Sequence, residues 1–161
     1  MDGLLPQLAI ATAIVCTTIV IHLLGLDGLQ MLVRLHLRRF ARWVDINRTI
    51  VPLGIVLGLF LLHGIEIWLY ALVYRFAGVL GTLEQALYFS TSAYSTAGET
   101  GALLPVSWRI IGVLESVNGM LLIGWSTAFL FQSLNHLMWE EEDGHHSLPK
   151  GAIARGRRKR A

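Results

Sequence analysis

Two carboxylates stand inside stretches otherwise fit only for lipid or a protein core. Glu66 lies midway along an apolar run with His63 one turn before it and Tyr70 one turn after, and Glu115 opens another run with Asn118 one turn on. Ionisable groups in such places are costly, and they face protein or water rather than lipid. The His63–Glu66 pair could carry a proton or serve as a hydrogen-bonded strut; Glu115 and Asn118 could line a vestibule or brace what lies in front of them. A third group of oxygens lies between these runs. Ser95, Thr96, Ala97, Gly98, Glu99 and Thr100 follow one another in a short hydroxyl-rich segment. A dehydrated monovalent cation needs a ring of oxygens in place of its water. Thr96 offers a hydroxyl and a carbonyl, Ala97 and Gly98 offer carbonyls, and Glu99 offers a carboxylate. One chain supplies one side of such a ring, so several copies would have to surround an axis.

The elements that must hold these groups follow from composition. The 161 residues are 54% hydrophobic and 15% charged, with a mean hydropathy of +0.57. Soluble domains average about a quarter charged residues, so the chain belongs to the membrane class. Crossing a bilayer takes about 20 apolar residues, and three stretches suffice: residues 8–24, 50–74 and 110–138. The N-terminal stretch has no basic residue before it and no small-residue cleavage site after it, which predicts a retained helix rather than a signal peptide. Residues 82–95 are too short to span and suit a segment that enters the membrane and returns. Non-helical backbone at that depth is tolerated only where protein buries it or it lines water.

Charge sets the expected orientation. Arg34, Arg38, Arg39, Arg42 and Arg48 lie between the first two spans, and Lys150, Arg155, Arg157, Arg158, Lys159 and Arg160 lie in the tail; these are eleven of the thirteen Lys and Arg. The positive-inside rule places both regions in the cytoplasm of a multi-pass inner-membrane protein, with the N-terminus and the short loop outside. Arg34, Arg38 and Arg42 recur every four residues among apolar positions, which predicts a basic amphipathic helix against anionic lipid of the inner leaflet or against a neighbouring subunit.

From Ala86 the chain reads Ala-Leu-Tyr-Phe-Ser-Thr-Ser-Ala-Tyr-Ser-Thr-Ala-Gly-Glu-Thr, and further on come Trp108-Arg109, Gly119-Met120-Leu121-Leu122 and Ser126-Thr127-Ala128-Phe129-Leu130. Residues 50–138 resemble the pore region of the potassium-channel superfamily as found in small bacterial ion-channel proteins, with an extra helix in front. The resemblance implies an all-α homotetramer. Each subunit would have a leading transmembrane helix (1–26), a cytoplasmic basic amphipathic helix (27–49), a pore domain of outer helix, pore helix, filter and inner helix (50–139) and a disordered tail (140–161). It implies a filter of Thr96, Ala97, Gly98, Glu99 and Thr100, supported by Ser95, Glu66, His63, Glu115 and Asn118. Gly119 falls where the family's inner helix flexes and Gly124 is a second hinge candidate, though small residues also allow close helix packing.

The departures bear on selectivity. Glu99 replaces the family's filter aromatic, Thr100 its second glycine and Gly101 its aspartate. A β-branched threonine does not adopt glycine's backbone cheaply. Four Glu99 carboxylates would form an acidic outer ring, as in the similar Gly-Glu-Thr filter of cyclic-nucleotide-gated channels. The expected function is therefore passive conduction with little choice between K+ and Na+, and with Ca2+ bound at Glu99. A potassium-selective pore through an unconventional filter is the alternative. No cyclic-nucleotide domain and no arginine-repeat voltage sensor is expected, and no cofactor beyond the permeant ions.

A rival of another class is a haem-binding membrane anchor, since His22 and His63 each lie on a span. His145 and His146 beside the acids 140–143 could take a stray divalent ion, but read as a solvated run. The single Cys16 excludes an intrachain disulfide and a cysteine metal site. The nucleotide-binding and hydrolase motifs that would suggest an enzyme are absent from the sequence, and a net charge of +2 with a basic tail that follows a span does not suggest nucleic acid.

Overall fold

The structure, a computed structural model, describes residues 3–39, 44–98 and 103–146, with side chains described for 3–39, 49–98 and 103–135. The described residues are helical, with α1 over Leu4–Arg39, α2 over Val44–Phe76, α3 over Leu83–Tyr94, a 3-10 turn over Val106–Trp108 and α4 over Arg109–His146. Three helices are long and apolar enough to cross a membrane, in Leu4–Arg39, Thr49–Phe76 and Val106–Asn135. The chain divides into two compact units, Met1–Leu130 and Phe131–Ala161. The first holds α1, α2, α3 and α4 as far as Leu130. The described part of the second is helical through His146.

Two boundaries differ from the sequence reading. A separate surface helix beginning near residue 27 is not formed; α1 runs unbroken through Asp27 and Gly28 to Arg39. A lone glycine costs a helix about 1 kcal/mol, too little to stop one that packs along its length. At 36 residues α1 reaches about 54 Å, well beyond a ~30 Å hydrocarbon layer, so it is long enough to hold a span together with the turns that carry Arg34 and Arg38. Arg42 lies outside the described residues. At the other end, residues 140–146, expected in a disordered tail, continue α4, and 147–161 lie outside the described residues.

Each long helix in the first unit carries one polar-studded inner stripe. On α1 this is Gln7, Ala11, Ile14, Thr18, His22 and Leu26. On α2 it is Leu62, Glu66, Tyr70 and Tyr74, four apart, and on α4 Glu115, Asn118, Leu122 and Ser126. These spacings of three and four put every member on one helix face. Large apolar side chains such as Phe60, Leu61, Phe76 and Leu121 point outward, the reverse of a soluble protein and the arrangement lipid favours. The α1–α2 contact is made by reciprocal glycine seats: a Cβ on Gly25 would stand 2.4 Å from Leu62 Cδ1, and one on Gly58 2.6 Å from Leu29 Cδ1. Close approach through small residues is the usual way helices adhere in lipid.

The short α3 starts at a defined cap, where Thr82 Oγ1 accepts from the Gln85 N–H at 3.1 Å and Glu84 in the first turn complements the dipole. Its inner face, Ala86, Phe89, Ser90, Ala93 and Tyr94, is buried. Phe89 and Trp108 both meet Tyr74 edge-on, with ring centroids 5.2 and 5.9 Å apart.

Candidate functional site: a polar core behind the end of α3

Three hydrogen-bonded clusters tie the helices together. In the first, the Glu66 carboxylate on α2 is shared between two imidazoles. His22 Nδ1 on α1 lies 2.9 Å from Oε1, and His63 Nδ1 lies 3.2 Å from Oε2. The Tyr94 hydroxyl, on the last residue of α3, donates to Oε2 and lies 2.9 Å from His63 Nδ1. Ser126 Oγ on α4 faces the other nitrogen of His22, Nε2, at 3.4 Å. In the second cluster Glu115 on α4 accepts from the Tyr74 hydroxyl at 2.8 Å and from Ser90 Oγ on α3, and Ser90 also lies 3.0 Å from the Ile67 carbonyl. In the third, Asn118 Nδ2 donates to Thr18 Oγ1 at 2.8 Å and to Tyr70 Oη at 3.2 Å.

The sequence had marked His63, Glu66, Glu115 and Asn118, and the structure brings all four into this core. His22, weighed from the sequence as a haem ligand, and Tyr70 join them, and the structure adds Thr18, Tyr74, Ser90, Tyr94 and Ser126 as partners. The stripe of polar residues at three- and four-residue spacing on each span marks the inner face that carries Thr18, His22, Tyr74 and Ser126 without naming their partners, and α3, which is no span, has no such stripe to mark Ser90 and Tyr94. Thr127, by contrast, bonds its own helix, with Oγ1 2.9 Å from the Ile123 carbonyl.

The end of α3 is closed by a hydrogen-bond pattern that fixes where the following segment starts. Ala97 N–H donates to the Ser92 carbonyl and Thr96 N–H to the Ala93 carbonyl, both at 3.0 Å. This is a Schellman termination, which requires a left-handed residue at the position of Thr96. The end of α2 has the same pattern, with Val79 N–H to Tyr74 O at 3.0 Å and Gly78 N–H to Arg75 O at 3.2 Å, and there the left-handed residue is Gly78 at φ +68°. At α3 it is Thr96, at φ +56°, a conformation uncommon for a β-branched side chain. Ser95 Oγ turns back to the Thr91 carbonyl at 2.7 Å. Thr96, Ala97 and Gly98 are exposed, with Gly98 also left-handed at φ +73°. Glu99 and Thr100, the rest of the expected filter, lie outside the described residues.

Holding Thr96 left-handed costs about 1–2 kcal/mol. Thr96→Gly is therefore expected to raise the melting temperature of the detergent-solubilised protein, the relief outweighing glycine's ~0.5–1 kcal/mol backbone entropy. Thr96→Val, which keeps the strain, should give no gain. Equal melting temperatures for the two variants would show that the turn is not strained.

Gly119 and Gly124, the two hinge candidates, have different surroundings. A Cβ on Gly119 would stand 2.3 Å from the Tyr94 carbonyl oxygen, whereas one on Gly124 meets nothing within 4 Å. At Gly119, α4 thus packs directly against the backbone at the end of α3. Compared with protein-family models, with curated proteins and with solved structures, the chain matches none. The fold itself defines the class: among the described residues it is all-helical, with three helices long and apolar enough to cross a membrane.

Proposed function

We propose that the chain is the pore-forming subunit of a homotetrameric cation channel, weakly selective between K+ and Na+, with Ca2+ binding at a ring of Glu99 carboxylates. The observation that carries this reading is α3. Its 12 residues reach only about 18 Å, too short to cross, and it lies in sequence between two helices that can. Its partly negative C-terminal end leads into the exposed backbone of Thr96–Gly98, an arrangement that favours cations over anions. The polar clusters serve as struts holding that end in place: Tyr94 is fixed by Glu66 and His63, and Ser90 by Glu115. Gly119 and Gly124 on the inner helix are where flexing would open the pore. Arg34 and Arg38 lie toward anionic lipid on the cytoplasmic side, the N-terminus and Glu99 facing outward.

The haem-anchor reading is disfavoured by the Glu66 carboxylate, which bonds both His22 and His63 and fills the space a macrocycle between them would need. Cation flux into vesicles holding the purified protein tests the proposal. Wild-type vesicles should pass K+ and Na+, with Ca2+ blocking from the Glu99 side, and Glu99→Gln should weaken the block at least tenfold. Block unchanged in Glu99→Gln would remove the acidic ring from the account, and a native mass other than a tetramer would remove the pore axis.

A further inference from the structure

Among the described residues, one group of three metal-ligating side chains converges: His22, His63 and Glu66, with one ligand atom from each lying within 4.8 Å of the others. From this juxtaposition, with Tyr94 as a fourth donor, we infer that the core between α1, α2 and the end of α3 is a binding site for a divalent transition ion of the Zn2+ class. The inference concerns a ligand site and stands whether or not the chain conducts.

The donor set is two imidazole nitrogens and carboxylate oxygen, which suits Zn2+; hard ions such as Mg2+ and Ca2+ prefer all-oxygen cages. Bonds of about 2.0–2.1 Å at tetrahedral angles place neighbouring donor atoms about 3.3 Å apart. The observed separations, 2.9 Å from His22 Nδ1 to Glu66 Oε1 and 3.2 Å from His63 Nδ1 to Oε2, differ from that by a few tenths of an ångström. Both histidines turn the same atom, Nδ1, to one carboxylate. Ligating histidines bond a partner through their remaining nitrogen, which fixes the ring. Ser126 Oγ stands at that position for His22, 3.4 Å from Nε2. Without metal, His22 can hold its proton on Nδ1 toward Glu66; with metal the proton sits on Nε2 toward Ser126, so His22 is satisfied in both states. The side chains of His22 and Glu66 are fully buried, and His63 is 17% exposed, which makes the His63 edge the way in.

Such an ion would pin α1 and α2 to Tyr94, the residue just before the Thr96 turn. On the channel reading, which this consequence rests upon, Zn2+ would therefore alter conduction from within the subunit rather than by plugging the pore.

The experiment is Zn2+ titration by calorimetry on chelator-stripped full-length protein carrying His145→Ala and His146→Ala, which removes the tail histidine pair. X-ray absorption of the Zn2+-loaded sample reads the ligands. One Zn2+ per chain with a two-imidazole shell is expected, lost in His22→Ala and weakened 10–100-fold in Ser126→Ala. The spectrum on the parent protein keeps the test decisive even where His22→Ala does not fold. Absence of binding once the tail histidines are gone, or binding undiminished in folded His22→Ala, would overturn the site. Zn2+ binding by a protein that passes no cation would count against the channel and leave the site standing, while conduction without Zn2+ binding would do the opposite.

Discussion

Gly119→Ala lowers the melting temperature of the detergent-solubilised protein by about 2–12 °C and depresses cation flux with it. The added methyl would stand 2.3 Å from the Tyr94 carbonyl oxygen and 2.9 Å from both its carbonyl carbon and its Cγ. The nearest atoms belong to backbone, so no rotamer change relieves the clash, and α3 and α4 must separate. Overpacking of this kind costs about 1–3 kcal/mol, and each kcal/mol is worth roughly 2–4 °C in a chain of this size. The displaced carbonyl is two residues before Thr96, so a shift that loosens the helices also moves the proposed ion path. Gly124→Ala is the control, because a methyl there touches nothing; it should melt at or a little above the wild-type temperature, as glycine costs a helix interior about 0.5–1 kcal/mol. Equal melting of all three proteins would mean that α4 does not pass α3 as described.

The second large effect is expected at Glu66. Its two oxygens face His22, His63 and Tyr94, and Glu66→Leu leaves His22 Nδ1 without its acceptor and His63 and Tyr94 with only each other. Leaving a buried polar group unpaired costs about 1–3 kcal/mol, and more where the lost partner is a carboxylate. Glu66→Leu should therefore give little folded protein on size exclusion and a strongly lowered melting temperature. Glu66→Gln, which keeps the shape and one acceptor, should recover part of the loss. The reading of this cluster as the strut of the fold would be falsified if Glu66→Leu melted like the wild type.

Much of this arrangement can be read from sequence, and the limits have physical causes. The spans declare themselves through length and lack of charge, and Glu66 and Glu115 through the cost of placing an acid there. Their partners are harder to see. Tyr74 and Tyr94 look like ordinary membrane tyrosines, and Thr18 and Ser90 like small residues, because a hydroxyl's partner across 23 to 100 residues of chain leaves no local trace. The extent of α1 is missed for the opposite reason: Asp27-Gly28 and the arginines after it mark a change of solvent, which a helix can cross without breaking. At Thr96 composition misleads, since a Schellman turn at a threonine runs against the residue preference by which such turns are found. Gly119 is legible as an important glycine, but its task depends on how closely α4 approaches the Tyr94 carbonyl, which no spacing along one helix encodes.

The most direct test of the proposed function is the reversal potential of the purified protein in a planar bilayer with K+ on one side and Na+ on the other. A weakly selective cation pore predicts a value close to zero, and a salt gradient should shift it in the direction of cation flow. A value near the potassium limit would mean that Glu99 and Thr100 still permit a selective filter, and anion current, or none, would contradict the channel itself.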